Sequence, residues 1–317
     1  MTENEFLLAD RIAKIQSTIE KYGEENFYIS FSGGKDSTVL SALIDMALPG
    51  NKIPRVYANT GIEYKLILEF VKKKQQEEHP WELVILKPSV PIKPMLEKDG
   101  YPFKSKMHSQ FVKKYQKKGL EYKSVRAYIN LEPTISGKPI FRACPKILRY
   151  QFSDENKLKI SDMCCFRMKE EPLTKWKNEN KKIYAINGIM REEGGRRTRS
   201  NCMSFTSGGK LNFFQPLAPI TKDWEEWFID TYNVDISDIY KPPYNFSRTG
   251  CKGCPFALGL QEELDTLEKF FPGERKQCEI IWKPVYDEYR RLGYRLKPLS
   301  EEVEHQMTVD EWYETLE

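Results

Sequence analysis

The sequence predicts an α/β fold built on a parallel sheet, and three observations carry that prediction. Short apolar runs at 27–31, 54–61, 81–86 and 182–188 alternate with segments of helical periodicity. The first run leads directly into the glycine turn Ser32-Gly33-Gly34-Lys35-Asp36-Ser37. That turn opens onto Val39, Leu40, Leu43, Ile44 and Ala47, spaced as one helix face. Strand–helix alternation of this kind gives right-handed crossovers between parallel strands. A ligand then sits beyond the carboxyl ends of the strands.

Taken in order, residues 5–22 read as an amphipathic helix with Phe6, Leu7, Ile12, Ile15 and Ile19 on its apolar side. Residues 27–31 alternate aromatic and β-branched side chains, which suits a buried strand. Gly33 and Gly34 let the backbone turn tightly and approach a ligand with no Cβ in the way. The N–H groups and positive dipole end of the following helix converge there and make an anion site. Lys35 adds a mobile positive charge, and Ser32 and Ser37 add hydroxyl donors. The second strand, 54–61, ends in the polar turn Asn59-Thr60-Gly61, which sheet geometry places beside the glycine loop. A helix at 64–76 and a third strand at 81–86 follow.

Residues 88–160 break the rhythm, with prolines punctuating lysine-rich helical pieces, and read as an insertion. The α/β pattern resumes at 182–188, a strand ending in Gly188 and followed by Ile189 and Arg191. Ser207-Gly208-Gly209-Lys210 repeats four letters of the first glycine turn. It lies between two strand-like runs, however, so it reads as a hairpin turn. A helix at about 222–232 comes next, and the remainder is helical apart from a cysteine loop at 247–256.

At 317 residues the chain has room for one large or two ordinary domains. No apolar run reaches the length of a membrane span. The acidic first residues lack the basic and apolar regions of a signal peptide. Seven cysteines, an odd number, point to a reducing cytoplasm and to metal or catalytic work in place of disulfides. The net charge of +4 is small but unevenly spread. Lys104, Lys106, Lys113, Lys114, Lys117, Lys118, Lys123 and Arg126 form one basic run. Interleaved Phe103, Phe111, Tyr115, Tyr122 and Tyr128 suit it to contact with nucleic acid, with the default reading a solvated face. Arg191, Arg196, Arg197 and Arg199 form another run, at the sheet's carboxyl edge, where arginine forks can take phosphate. His79, His108 and His305 stand in no metal or triad pattern and read as surface residues.

Cys164 and Cys165 are adjacent, and Cys251 and Cys254 form a Cys-x-x-Cys. Four thiolates from two segments can hold an iron–sulfur cubane or a tetrahedral zinc. Adjacent cysteines make an awkward chelate for one small ion but can reach two corners of a larger cluster. Cys144 and Cys202 are unpaired in sequence and read as buried structural thiols. Cys278 falls in a helical pattern as a core residue.

The glycine turn is not a Walker A loop, because the long glycine-to-GKS spacing is missing. It resembles the SGGxDS pyrophosphate loop of the adenine nucleotide α-hydrolase superfamily. The segment from Cys164 to Leu173 resembles the CCxxRKxxPL pattern of the phosphoadenosine phosphosulfate (PAPS) reductase family. Asn187 to Glu193 is similar to that family's TGLRRxQ segment, and Gln215 to Ile220 to its NPLAPWT segment. Gly250-Cys251-Lys252-Gly253-Cys254-Pro255 resembles the second half of its cluster motif. The matches run in order from about residue 27 to 256.

The resemblance implies a HUP-type α/β domain in two halves, 1–87 and 161–256, split by the lysine-rich insertion 88–160 and followed by a helical region, 257–317. It implies ATP with Mg2+, or an adenylyl sulfate, at Ser32, Gly33, Gly34, Lys35, Asp36, Ser37, Asn59, Thr60, Gly188 and Ile189. It gives catalytic roles to Lys35, Asp36 and Arg191, and a [4Fe–4S] cluster to Cys164, Cys165, Cys251 and Cys254. Two departures matter. The reductases carry a catalytic cysteine in an ECGxH tail, whereas this chain has no cysteine after Cys278, and Met163 replaces the family's cluster-adjacent lysine. An ATP pyrophosphatase that adenylates an acceptor and takes sulfur from a partner protein, as in DNA phosphorothioation and tRNA thiolation, fits the absent cysteine. A reductase of adenylyl sulfates is the alternative, and a nucleotide-binding regulator with a structural cluster is another. Lys104–Arg126 would be the nucleic-acid surface, and no membrane is involved.

Overall fold

In a computed structural model, residues 1–133 and 143–298 are described. His305 and the acidic tail lie outside them. The elements in chain order are α1 (Glu3–Tyr22), β1 (Phe27–Phe31), α2 (Lys35–Ala47), β2 (Arg55–Ala58), α3 (Lys65–Gln76) and β3 (Leu83–Leu86). Then come α4 (Ile92–Asp99), α5 (Lys106–Lys118), α6 (Lys123–Tyr128), the short α7 (Met163–Cys165) and α8 (Glu171–Glu179). The chain continues with β4 (Tyr184–Ile186), β5 (Met203–Phe205), β6 (Leu211–Phe214), α9 (Lys222–Tyr232), α10 (Leu260–Phe270) and α11 (Pro272–Arg291). Among the described residues no helix is long and apolar enough to cross a membrane.

The chain forms two compact units. The first comprises residues 1–89 and 169–250, the second 90–168 and 251–317. The first unit holds the sheet, ordered β3-β2-β1-β4-β6-β5. β1 runs parallel to both β2 and β4, and β6 runs parallel to β4. Only β5 is antiparallel, as the return strand of the hairpin. A mostly parallel sheet with helices is the α/β arrangement that the strand–helix alternation predicts.

Strand β1 lies inside the sheet with Phe27, Tyr28, Ile29 and Phe31 buried, so both its faces are covered, as expected of an inner parallel strand. The helix face read from the sequence is the buried one: Val39, Leu40, Leu43 and Ile44 are fully enclosed, and Ala47 nearly so. Each such aliphatic burial contributes about 1.5–3 kcal/mol. They join Ile15 and Ile19 of α1, Ile29 of β1, Phe214 of β6 and Trp224 and Phe228 of α9 in one core cluster. Thr2 caps α1 through a reciprocal capping box with Glu5. Thr221 caps α9 by accepting from the Trp224 amide at 3.2 Å. The second glycine turn closes the hairpin, with Thr206 N–H donating to the Lys210 carbonyl at 2.8 Å.

The second unit is helical. Its aromatic side chains form the core: Phe103 packs edge-on against Tyr289 with ring centres 4.5 Å apart, and Phe111 stacks on Tyr128 at 4.4 Å. Two expectations fail here for that reason. Phe103 and Tyr128 are fully buried, so neither is available to stack on a base. His108 is also fully buried, not a surface residue. Its Nδ1 lies 3.0 Å from the Tyr128 hydroxyl and its Nε2 2.6 Å from Gln151 Oε1. Those two partners satisfy both ring nitrogens, which lets an imidazole enter an apolar core. Burial pulls its pKa down to about 4. His79 is half-buried and stacks on Trp81 with 3.8 Å between ring centres.

Candidate functional site

The site of the first unit is built on the junction of β1 and α2. Gly33 takes φ +68, the left-handed region, and a Cβ there would stand 2.7 Å from Val71 Cγ2 of α3. Only glycine meets both conditions at little cost. Gly34 is the first flanking residue of α2, and no side chain caps the helix start. The hydroxyls of Ser32 and Ser37 are tied together at 2.9 Å, and Ser37 Oγ also donates to the Gly34 carbonyl at 3.0 Å. The two serines therefore brace the turn. Tyr240 closes it from the other side, its hydroxyl bonding Thr249 and the Lys35 backbone amide. Burial raises the Tyr240 pKa to about 12, so it stays a neutral phenol.

This loop opens into a cavity of ≈ 910 Å³ whose walls all belong to the first unit. Ser32, Gly34, Lys35, Asp36, Ser37, Gly188 and Ile189, all singled out from the sequence, line it. Cationic groups face it too: Lys169, Lys222, Arg197 and Arg248 join Lys35. Arg197 is half-buried, and burial and the neighbouring Arg248 both lower its pKa, while Asp36 raises it. The wall is mixed, because Asp36, Glu193, Glu225, Glu226 and Asp230 line it too, and Arg197 pairs with Glu193. The uncapped helix start and the five cations are the groups in it that can take a polyanion.

Of the residues expected here, Gly33, Asn59, Thr60 and Arg191 do not line the cavity. Arg191 is exposed, and its Nε donates 2.6 Å to the Ser200 carbonyl. The short turns Arg191–Glu193 and Gly195–Arg199 fold the chain back, so Arg197 reaches the cavity instead. Asn59 and Thr60 do end β2 at the sheet's carboxyl edge, but their polar groups serve their own turn. Thr60 donates from N and Oγ1 to Glu63, at 3.0 and 2.7 Å, and Asn59 Oδ1 accepts from Gly61 N–H at 3.0 Å.

The sequence reading missed Glu225. This residue stands beside Trp224 on the buried side of α9, fully enclosed, and it lines the same cavity. Its Oε2 is 3.3 Å from Lys35 Nζ. Burial, and then the adjacent Asp36, raise its pKa to about 7 against the lowering effect of Lys35. The signal was available: a carboxylate among the apolar positions of a short amphipathic helix is costly unless it has a partner.

The four paired cysteines all lie in the second unit. The Cys164–Cys165 turn is held by Arg167 donating to Asp99 at 2.9 Å and Lys113 to Asp162 at 3.1 Å. The Cys251–Cys254 loop is held by α11. Trp282 Nε1 donates to the Lys252 carbonyl at 3.2 Å and Tyr289 to the Pro255 carbonyl at 2.8 Å. Lys252 itself is buried, donating to Glu274 and Gln277, each at 2.7 Å. Burial drives the Cys254 thiol well above the ordinary range, and Cys251 and then Cys165 add to it. Those donor types suit an iron–sulfur cluster. Among the described residues no three His, Cys, Asp or Glu side chains are grouped as metal ligands. Of the remaining thiols, Cys144 is buried and raised to about 11 by that burial, Cys202 sits 3.5 Å from Arg11 Nη1, and Cys278 is enclosed within α11.

No family model matches the chain, and no curated protein matches it. Solved structures do align with it. One is phosphoadenylyl-sulfate (PAPS) reductase from Candida auris, at 13% identity and TM-score 0.40, covering 76% of this chain and 93% of that one. Another is Candida glabrata FMN adenylyltransferase in complex with FAD and inorganic pyrophosphate, at 13% and 0.44. That alignment covers 79% of this chain and 65% of the other, under two thirds of its length. The U34-tRNA thiolase NcsA from Methanococcus maripaludis, with its [4Fe-4S] cluster, aligns at 14% and 0.37 over 94% of this chain and 82% of that one. At these identities and scores, none of the alignments assigns an activity to this chain.

Proposed function

We propose that the protein is an ATP pyrophosphatase of the PAPS reductase type, adenylating an acceptor for sulfur incorporation into nucleic acid. The observation that carries this reading is the uncapped start of α2, opening with Gly34, Lys35, Asp36 and Ser37 onto a cavity ringed by Lys169, Lys222, Arg197 and Arg248. Its volume, ≈ 910 Å³, suits a nucleotide, at the upper end of small-molecule sites. In this reading the amides of the loop and Lys35 take the pyrophosphate end of ATP, and Arg197 and Arg248 offset the charge that builds up as pyrophosphate leaves. Magnesium would come with the nucleotide. The loop residues Ser32, Gly33, Gly34, Lys35, Asp36 and Ser37, with Gly188 and Ile189, form the binding set.

Cys164, Cys165, Cys251 and Cys254 are proposed to take a [4Fe–4S] cluster on the strength of their donor type and pairing. The basic run Lys104–Arg126 remains the proposed nucleic-acid contact, mainly by charge, since Phe103 and Tyr128 are in the core while Phe111, Tyr115 and Tyr122 are half-buried. A sulfur-donor protein completes the scheme. Sulfonucleotide reduction is the second reading, kept by the four motif matches. It needs an accessible thiolate to attack sulfur, and the burial of Cys144 and Cys278 weighs against it.

Incubation of anaerobically purified protein with MgATP and with adenylyl sulfate tests both. Release of AMP and pyrophosphate, lost in Asp36→Ala and Ser37→Ala and kept in the hairpin variant Lys210→Ala, supports the pyrophosphatase. Sulfite release in the presence of thioredoxin would replace it with the reductase.

A further inference from the structure

Glu225 is an unusual occupant of the cavity wall. Its side chain has no solvent exposure, and neither carboxylate oxygen meets a well-formed hydrogen-bond donor. Its charge partner is Lys35, whose Nζ is 3.3 Å from Oε2 and which is itself mostly enclosed. The same ammonium lies 3.8 Å from Glu226 Oε1, an exposed carboxylate that water already serves. Lys35 is thus drawn onto α9, while its backbone forms the first turn of the helix that faces the cavity.

The charged and titratable groups at the Glu225 carboxyl come from α2, α9 and the turn carrying Tyr240. Lys35 and Asp36 face it from α2, Glu226 from its own helix, and the Tyr240 hydroxyl from the turn Asp238–Tyr240. Arg197 acts on Asp36 from beyond. Glu225 therefore has one close cation, Lys35, which it shares with the exposed Glu226, and the neighbouring Asp36 carboxyl opposes its charge. Such an arrangement cannot stay fixed when a phosphate arrives. The phosphate competes for Lys35, and a buried carboxylate that loses its only close cation is strongly disfavoured.

We propose that Glu225 is a positioning residue that latches Lys35 in the free protein, and that a nucleotide's phosphates release the latch by taking Lys35 while the buried Glu225 carboxyl picks up one proton from solvent. This rests on the reading of the cavity as a nucleotide site and adds to it a proton linked to binding. No bond to carbon, phosphorus or sulfur changes in the step; the only transfer is of a proton from water to the carboxylate.

The sign follows from the surroundings. In the free protein burial has already lifted Glu225 to about 7, and Lys35 is the group that holds it down. Removing Lys35 lifts it further. Below pH 7 the carboxyl is largely neutral, and releasing Lys35 costs little. Above pH 7 each binding event takes up a proton, so affinity falls with pH, by up to about tenfold per pH unit.

Calorimetric titration of the full chain with MgATP at pH 8, in Tris and in Hepes, reads the proton directly. Buffers of unequal ionisation heat should give unequal binding heats, corresponding to uptake approaching one proton. Glu225→Gln should abolish the difference and should bind more tightly than wild type at pH 8.5. Equal heats in the two buffers, or uptake that persists in Glu225→Gln, would overturn the latch while leaving the nucleotide site standing. Absence of MgATP binding by the wild type at every pH would overturn the site and the latch together. The wild-type comparison needs no substitution, so a poorly folded variant does not obstruct the test.

Discussion

Replacing Gly33 by alanine probes the loop at its most constrained atom. At φ +68 an L-residue incurs a left-handed penalty of about 1–2 kcal/mol. The new Cβ would also lie 2.7 Å from Val71 Cγ2 and 3.0 Å from Ile67 Cγ2. Val71 is β-branched and fully buried, so it cannot rotate away, and Ile67 is nearly as enclosed. Overpacking of that kind costs about 1–3 kcal/mol. The sum is about 2–5 kcal/mol, large against the marginal stability of a folded domain. Gly50 supplies the control: its φ is +77, yet a Cβ there meets nothing within 4 Å. Gly50→Ala should therefore show the conformational term alone. Urea unfolding followed by circular dichroism measures both, and the expected difference is about 1–3 kcal/mol. Relief of the contact would push the loop toward the cavity, so MgATP affinity should fall by about tenfold or more in Gly33→Ala only. If Gly33→Ala proves no costlier than Gly50→Ala, the tight seat of the loop against α3 is refuted.

Two further outcomes are expected. His108 has a folded pKa of about 4, below its ordinary 6.5 because it is buried, so the unfolded chain binds the extra proton between those values. Stability is then full above pH 6.5 and declines as pH falls toward 4, by on the order of 3 kcal/mol, and His108→Gln should flatten that dependence in urea titrations; an unchanged slope would remove His108 as the cause. Protein purified without oxygen should be brown and contain iron and acid-labile sulfide, and Cys251→Ala should bleach it. Stoichiometric zinc without sulfide would refute the cluster.

The parts legible in the sequence are those fixed by local chemistry. A β-branched and aromatic run followed by two glycines and an apolar 3.6-residue row specifies strand, turn and helix without any distant partner. The same reasoning separated Gly33-Gly34 from Gly208-Gly209, because flanking periodicity decides whether a glycine pair opens a helix or closes a hairpin. A parallel sheet followed from the alternation of strands and helices, whereas the order of its strands did not. The apolar row of α2 was readable because a helix buries one stripe whatever lies against it.

What required the tertiary structure was everything set by side chains far apart in the chain. Arg191 and Arg197 are equally basic in sequence, and only the folding-back of two short turns selects which one reaches the cavity. The aromatic residues among the basic run 104–126 suited nucleic-acid contact in sequence, and only helix packing turns Phe103 and Tyr128 inward. His108 carries no local mark of burial; Tyr128 and Gln151, distant in sequence, satisfy its nitrogens. Glu225 and Lys35 are separated by most of the first unit's chain, so no spacing links them. Their pairing exists because α2 and α9 pack on the same core, and the low dielectric there turns an ordinary glutamate into a group that titrates near neutrality.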